Sequence, residues 1–299
     1  MNDIYQSITD KIIAELEAGT VPWVRPWSGE ADPCPRNALT QRPYRGINTV
    51  LLGMESHCRG YASNQWLTFK QAQRLGGHVR KGERASTIIY YEMRVMEKED
   101  AEPVADGQEP EKRFMPLIKL FAVFNVAQVE ALPADYREAP AIDPDWDACA
   151  TAEQIIEGSG AVIRHQGFQA FYSPPNDLIY LPGKGTFAEP AAYYGTALHE
   201  LCHWTGSTTR LGRKLGRRFG DSAYAMEELV AEMGAAFLAA HCRLDGRLQH
   251  ASYIASWLEV LRRDKRAVFL AAAQAQKAAD YLLEHAGLIA PAEALPAAA

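Results

Sequence analysis

The feature that most constrains this chain is the segment His199-Glu200-Leu201-Cys202-His203, which fits the pattern H-E-x-x-H within an apolar, helix-like stretch. Two histidines four residues apart on a helix lie on one face, so both imidazoles can reach one metal ion. Glu200 then projects close enough to act as the general base for a water at that metal. The pattern predicts a metal centre with His199 and His203 as ligands. The alternative is a buried helix whose histidines only satisfy backbone groups.

A third ligand is expected on the next long helix, where acidic residues interrupt an otherwise apolar segment. Carboxylates rarely face a core unless they are paired or bound to metal. Glu228 and Glu232 share a helix face, which predicts Glu228 as the ligand and Glu232 as the residue that orients a ligand histidine. The reverse assignment and a pair of surface acids both stay open. Tyr224, one turn before Glu228, is a candidate hydrogen-bond donor to an oxyanion or else a core tyrosine. Glu227, about 100° away from Glu228, is expected to face solvent.

The length predicts two domains, because 299 residues exceed the usual size of one domain. The strand and helix patterns along the chain predict the α+β class. The first domain is α+β, and the second is mainly helical with a small β-sheet. The predicted limits are 1–130 for the first domain, 131–150 for a proline-containing linker, 151–290 for the second domain and 291–299 for a flexible tail.

Strand and helix patterns place the main elements. The apolar runs Thr87–Tyr91 and Ile118–Val126 flank an acidic segment at Glu97–Glu111, so they are expected to pair as a hairpin. The run Leu178–Leu181 is expected to be an edge strand that lines the metal cleft, since edge strands pair with peptides. Long helices are predicted at about 189–205, 222–243, 251–262 and 264–284.

The charge is uneven along the chain. The whole sequence has 31 basic and 37 acidic residues, yet residues 36–94 contain ten basic residues and three acidic ones. Basic side chains neutralise phosphates, and aromatic faces stack on unpaired bases, so this stretch is a candidate single-stranded nucleic-acid surface. The alternative is an ordinary solvated face with core aromatics. The candidate phosphate contacts are Arg45, Lys70 and Lys81, and the candidate stacking residues are Tyr44 and Trp66.

Several classes of protein are disfavoured. No run of 18 apolar residues occurs, so no membrane span is expected, and the first residues do not read as a secretory signal. The five cysteines are widely spaced and lack a C-x-x-C pair, which argues against a disulfide framework and against a cysteine zinc site. These features favour a cytoplasmic protein in a reducing compartment.

Longer segments carry a resemblance to a known family. Three segments resemble the N-terminal domain of ArdC-type antirestriction proteins: PRNALTQRPYRGINTVLL, NQWLTFKQAQRLGGHVRKGERAS and FAVFNVAQVE. That domain also occurs in TraC-type plasmid primases. The zincin-like metallopeptidase domain that follows it in the same family resembles YSPPNDLIYLP, HELCHWTGSTTRLGR and YAMEELVAEMGAAFLAA. The resemblance covers about residues 3–245 in consistent order.

The resemblance implies a plasmid protein that binds single-stranded DNA and protects conjugating DNA from restriction. It places a metal site at His199, His203 and a glutamate of the EELVAE segment. Two histidines and a carboxylate suit Zn²⁺ or another divalent ion such as Mn²⁺. Three functions stay open: an antirestriction protein whose metal domain cleaves a restriction-system or host protein, a DNA-masking binder with a structural metal, and an intracellular zinc peptidase without a nucleic-acid role.

Overall fold

The structure is a computed structural model, and it describes residues 3–18, 21, 34–61, 63–96, 113–133, 136, 148–167, 169–187, 189–215, 222–244 and 254–290. The described residues form an α+β fold, as the sequence predicts. The acidic segment and the tail at 291–299 lie outside them, as does most of the linker, so the domain limits stay a prediction.

The N-terminal half contains three helices and six strands among its described residues. The helices are α1 (Ile4–Glu17), α2 (Ile47–Arg59) and α3 (Phe69–Arg74). The strands are β1 (Arg36–Asn37), β2 (Gln65–Thr68), β3 (His78–Val79), β4 (Ser86–Met96), β5 (Arg113–Asn125) and β6 (Val129–Glu130). Four of these strands form one sheet in the order β1-β2-β5-β4, and β3 pairs with β6.

The predicted hairpin is confirmed and is longer than the sequence pattern indicates. Strands β4 and β5 pair in antiparallel register from Ser86 opposite Val123 to Met96 opposite Arg113. Strand β2 pairs with only the last part of β5, at Val123 to Asn125. The remainder of the hairpin therefore extends past β2 as a two-stranded arm.

The C-terminal half is mainly helical around a small sheet. Its helices are α4 (Ala148–Ser159), α5 (Pro190–Thr205), α6 (Ser222–His241), α7 (Ile254–Arg263) and α8 (Ala267–His285). Its strands are β7 (Val162–His165), β8 (Phe171–Ser173) and β9 (Leu178–Leu181), in the order β7-β9-β8. The expectation that Leu178–Leu181 is an edge strand is therefore wrong: β9 is central, and its backbone pairs with β7 on one side and β8 on the other.

The largest apolar core joins both halves of the chain. Apolar side chains of α1 and α2, such as Ile12 and Val50, are buried in the same cluster as those of α5, α6 and α8. Thr9 also donates a hydrogen bond to the Lys265 carbonyl, and the Gly46 amide donates to the Gln276 side chain. Burial of apolar surface is the main driving force of folding, so the first helices stabilise the C-terminal helices and are stabilised by them.

Candidate metal centre and nucleic-acid contacts

Helix α5 carries the two histidines and is buried along most of its length. Pro190 begins the helix at a position where the missing N–H costs nothing, and Gly206 follows its last residue. Tyr193, Ala197, Leu198 and Leu201 pack into the core. This packing fixes the rotation of α5 about its axis and hence the face on which His199 and His203 lie.

Helix α6 lies against α5 at a close approach that requires glycine. A Cβ atom added to Gly234 would lie 2.7 Å from the sulfur of Cys202, which is far inside van der Waals contact. Burial raises the pKa of the Cys202 thiol to about 12, so this sulfur packs as an apolar group rather than as a thiolate. The close approach brings the carboxylates of α6 within reach of the histidines of α5.

Three predicted ligands come together at this crossing. One ligand atom from each of His199, His203 and Glu228 lies within 4.8 Å of the others, a grouping that could hold a metal ion. The Nε2 atoms of the two histidines are 3.2 Å apart, and the Glu228 oxygens lie 3.6 Å from His199 Nε2 and 3.5 Å from His203 Nε2. Two imidazoles and a carboxylate are a donor set that suits a divalent cation with positions left open.

The opposite ring nitrogens face two further carboxylates. Glu232 Oε1 lies 3.8 Å from His199 Nδ1, on the side of the ring away from the cluster but beyond hydrogen-bond distance, so its orienting role stays a prediction. Glu227 Oε1 lies 3.3 Å from His203 Nδ1. The expectation that Glu227 faces solvent is wrong: the residue is 5% exposed, because the core encloses α6 around most of its circumference. Glu227 is also paired with the guanidinium of Arg213, which sequence reasoning missed.

The carboxylates shift the titration of the histidines in the metal-free protein. Burial lowers the pKa of His203, but hydrogen bonds with Glu227 and Glu228 outweigh it and raise the pKa to about 10. Burial likewise opposes a net rise in the pKa of His199, whose main cause is the hydrogen bond with Glu228. The same bonds hold the pKa of Glu228 far below its usual value despite burial. The carboxylate thus stays ionised, as a metal ligand must be.

Glu200 and Tyr224, the predicted general base and oxyanion donor, lie on the same two helices as the cluster. Glu200 is buried on α5 directly after His199, and its negative charge contributes to the raised pKa values of both histidines. Tyr224 is partly buried on α6, one turn before Glu228. Their roles as general base and oxyanion donor stay predictions.

The predicted nucleic-acid contacts are scattered over the first half of the chain. Lys70 and Lys81 are exposed, on α3 and in the turn after β3. Arg45 is exposed but pairs with Asp280 on α8. Tyr44 is partly buried. Trp66 is 0% exposed among Leu52 and Val123, which leaves no ring face open to a base and removes it from the candidate stacking residues.

Exposed aromatic side chains occur instead on the β4–β5 hairpin. Tyr90 is 54% exposed and Phe121 is 44% exposed, and their rings meet edge to face with centroids 6.2 Å apart. Lys119 is directly opposite Tyr90 in the register, so it lies on the same face of the hairpin as both rings. Sequence reasoning missed this pair, although Tyr90 and Phe121 belong to the two strands that it identified.

Comparisons with known proteins agree with this geometry. Residues 150–274 match a family described as a zincin-like metallopeptidase, which defines the class of the half that carries this cluster. Residues 2–124 match the N-terminal domain of the anti-restriction factor ArdC. The chain belongs to the ArdC family of antirestriction proteins, as the resemblance predicted.

Relatives extend over nearly the whole chain. The uncharacterized protein y4eC of Sinorhizobium fredii (strain NBRC 101917 / NGR234) is 40% identical over 285 residues, which are 94% of this chain and 91% of that protein. The DNA primase TraC of Escherichia coli is 37% identical over 93% of this chain, which spans only 27% of the primase. The similarity to TraC thus concerns one part of a much longer protein.

Two solved structures share the fold. The metal-free crystal structure of the antirestriction ArdC protein from the R388 plasmid is 40% identical, with a TM-score of 0.78 over 95% of this chain and 98% of that one. The Mn(II)-bound structure of the same protein gives 39% identity and a TM-score of 0.77 over the same shares. Among the described helices of this chain, none is long and apolar enough to cross a membrane.

Proposed function

We propose that this protein binds single-stranded DNA in the cytoplasm and protects incoming conjugative DNA from host restriction. The observation that carries the proposal is its similarity, over 95% of the chain, to the antirestriction ArdC protein of R388. The relation to DNA primases named TraC supports DNA as the ligand, because the shared segment occurs in both kinds of protein.

The proposed DNA contacts combine stacking with charge. Tyr90 and Phe121 offer adjacent exposed rings, and Lys119 on the same face supplies a cation for a phosphate. Lys70 and Lys81 remain candidate phosphate contacts because both are exposed. The local excess of basic residues over residues 36–94 favours a polyanion in a chain that is acidic overall.

The proposed metal ligands are His199, His203 and Glu228, with Glu232 orienting His199. The site would hold Zn²⁺, as the zincin-like class implies, or Mn²⁺, as in the R388 ArdC structure. A divalent ion bound here supplies Lewis-acid chemistry. Glu200 would accept and return a proton beside it.

A restriction-protection assay in cells tests the proposal. A plasmid carrying restriction sites enters a restricting host as a single strand by conjugation, or as a duplex by electroporation. Wild type should raise survival of the single-stranded arm, and the Tyr90→Ala/Phe121→Ala variant should lose this effect. The proposal is wrong if wild type protects in neither arm, whereas full protection by the double variant would reject Tyr90 and Phe121 as the DNA contacts.

The Glu200→Gln variant separates two versions of the function. Loss of protection, with DNA binding and metal content intact, indicates that metal chemistry acts in protection, and a cleaved host or restriction protein then becomes the expected substrate. Full protection indicates a DNA-masking protein whose metal serves the fold. Point substitutions are preferable to removal of residues 150–299, because that truncation would expose the apolar faces of α1 and α2.

A further inference from the structure

Arg213 lies after α5, and its side chain is buried beside the candidate metal centre. Its side chain is 6% exposed, and its guanidinium makes a dense set of hydrogen bonds. Nε and one terminal nitrogen donate to the two carboxylate oxygens of Glu227 at 3.0 and 2.8 Å. The same terminal nitrogen donates to the Cys202 carbonyl at 2.6 Å, and the other donates to the Thr205 hydroxyl at 2.9 Å. The guanidinium thus fixes Glu227 relative to the end of α5.

Glu227 connects this guanidinium to a predicted metal ligand. Its Oε1 atom lies 3.3 Å from His203 Nδ1, while His203 Nε2 faces His199 and Glu228. A carboxylate that accepts the proton of one ring nitrogen fixes the tautomer and the orientation of the ring, and so presents the other nitrogen to the metal. The equivalent carboxylate at His199 is farther away, at 3.8 Å. The carboxylate beside Nδ1 is therefore closer at His203 than at His199.

We propose that Arg213 is a positioning residue of the metal centre, which acts through Glu227 to hold His203 with Nε2 as the ligand atom. This role rests on the proposed metal site. The planar fork of arginine is required, because it binds both oxygens of one carboxylate at once, and a lysine ammonium cannot. The hydrogen bonds of Arg213 go to Glu227, Cys202 and Thr205 rather than to the proposed ligands, so its effect should appear in metal affinity.

Arg210 provides a matched control within the same loop. Its side chain is 8% exposed, it donates to the Trp204 carbonyl at 2.6 Å, and it pairs with the carboxylate of Asp177. Arg210 thus resembles Arg213 in burial, in its bond to the end of α5 and in having a carboxylate partner. The difference is that Asp177 lies in the β8–β9 turn, whereas Glu227 contacts a metal ligand.

The test measures Mn²⁺ affinity by calorimetry and thermal stability by circular dichroism on the full chain. Arg213→Met should weaken Mn²⁺ binding by about 10- to 100-fold. Arg213→Lys should also weaken it, since it keeps the charge but loses the fork. Arg210→Met should lower the melting temperature and leave the affinity within about twofold of wild type. Wild-type affinity in folded Arg213→Met, or an equal loss in Arg210→Met, would overturn the proposal.

A second variant covers the case in which Arg213→Met does not fold. Glu227→Gln keeps the shape of the side chain and removes the charge that orients His203, so it should weaken Mn²⁺ binding about tenfold. Wild-type affinity in this variant would contradict the role. His203→Ala distinguishes the two proposals: if it binds Mn²⁺ as wild type does, the metal site itself is wrong. If His203→Ala abolishes Mn²⁺ binding but the Arg213 and Glu227 variants bind Mn²⁺ as wild type does, only the positioning role fails.

Discussion

Alanine at Tyr90 and Phe121 should weaken single-stranded DNA binding without unfolding the protein. Stacking of one base on an exposed ring contributes roughly 1–3 kcal/mol. Tyr90 is 54% exposed and Phe121 is 44% exposed, so about half of each residue is covered, and we expect the lower part of that range, about 1–2 kcal/mol. Each substitution should then raise Kd by roughly 5- to 30-fold. Because the two rings contact each other, the double variant should fall short of the product of the single effects.

The assay is fluorescence anisotropy with a labelled single-stranded oligothymidine, measured over a range of salt concentrations. Leu120→Ala is the matched control, because Leu120 is the residue before Phe121 on β5, is 48% exposed and points to the opposite face. It should leave Kd within about twofold of wild type. Lys119→Ala should reduce the salt dependence of binding, whereas the ring variants should not. Wild-type affinity in the double variant, or an equal loss in Leu120→Ala, would refute the stacking argument.

Four further predictions concern the C-terminal half. His199→Ala and His203→Ala should each lose measurable Mn²⁺ binding, and full metal occupancy by elemental analysis in either would refute the ligand assignment. Because the carboxylates beside His203 overcome burial and raise its pKa to about 10, metal must displace a proton, so Mn²⁺ affinity in calorimetry should rise with pH up to that value. In the metal-free protein, protonated His203 contributes to the free energy of unfolding; this contribution is complete below about pH 6.5 and is lost as the pH rises through about 10. If neither the Mn²⁺ affinity nor the free energy of unfolding changes with pH, the raised pKa of His203 is contradicted. Gly234→Ala should lower the free energy of unfolding in urea by about 1–3 kcal/mol, because the added Cβ clashes with Cys202. Adding Cys202→Ala to the same chain should restore part of this loss. An unchanged urea midpoint in Gly234→Ala would argue against the close approach.

Periodicity predicted much of the candidate metal centre, because the spacing of residues along a helix determines which face their side chains occupy. His199 and His203, and likewise Glu228 and Glu232, are four residues apart, so each pair shares one face of any helix that contains it. The fold brings these four residues together. What periodicity could not supply is the crossing of α5 and α6, which depends on a contact between Gly234 and Cys202.

The sequence did not predict the positions of Glu227 and Arg213. A face 100° from Glu228 is solvated on an amphipathic helix, but α6 is apolar almost all round, and such a helix is buried. The neighbours Leu229, Val230 and Ala231 carry that signal, and all three are buried. Arg213 gave no comparable signal, because it lies in a loop whose path is set by hydrogen bonds to α5 and α6.

The DNA-contact candidates were harder to predict because strand alternation does not tell which face is covered. Trp66 lies on β2 between two other strands and beneath Leu52 of α2, so its ring is enclosed. Tyr90 lies on the arm that extends past β2, where fewer elements cover the sheet. The register of β4 and β5 decides this difference, and that register follows from long-range pairing across the acidic segment.

The location of a bound metal ion tests the central claim of this account most directly. Crystals of the full chain grown with Zn²⁺ can be measured at the zinc absorption edge, where anomalous scattering marks the ion. We predict one peak at about 2.0–2.2 Å from the Nε2 atoms of His199 and His203 and from a carboxylate oxygen of Glu228. A peak bound by Glu232 in place of Glu228, or no peak between the two Nε2 atoms, would contradict the proposed centre.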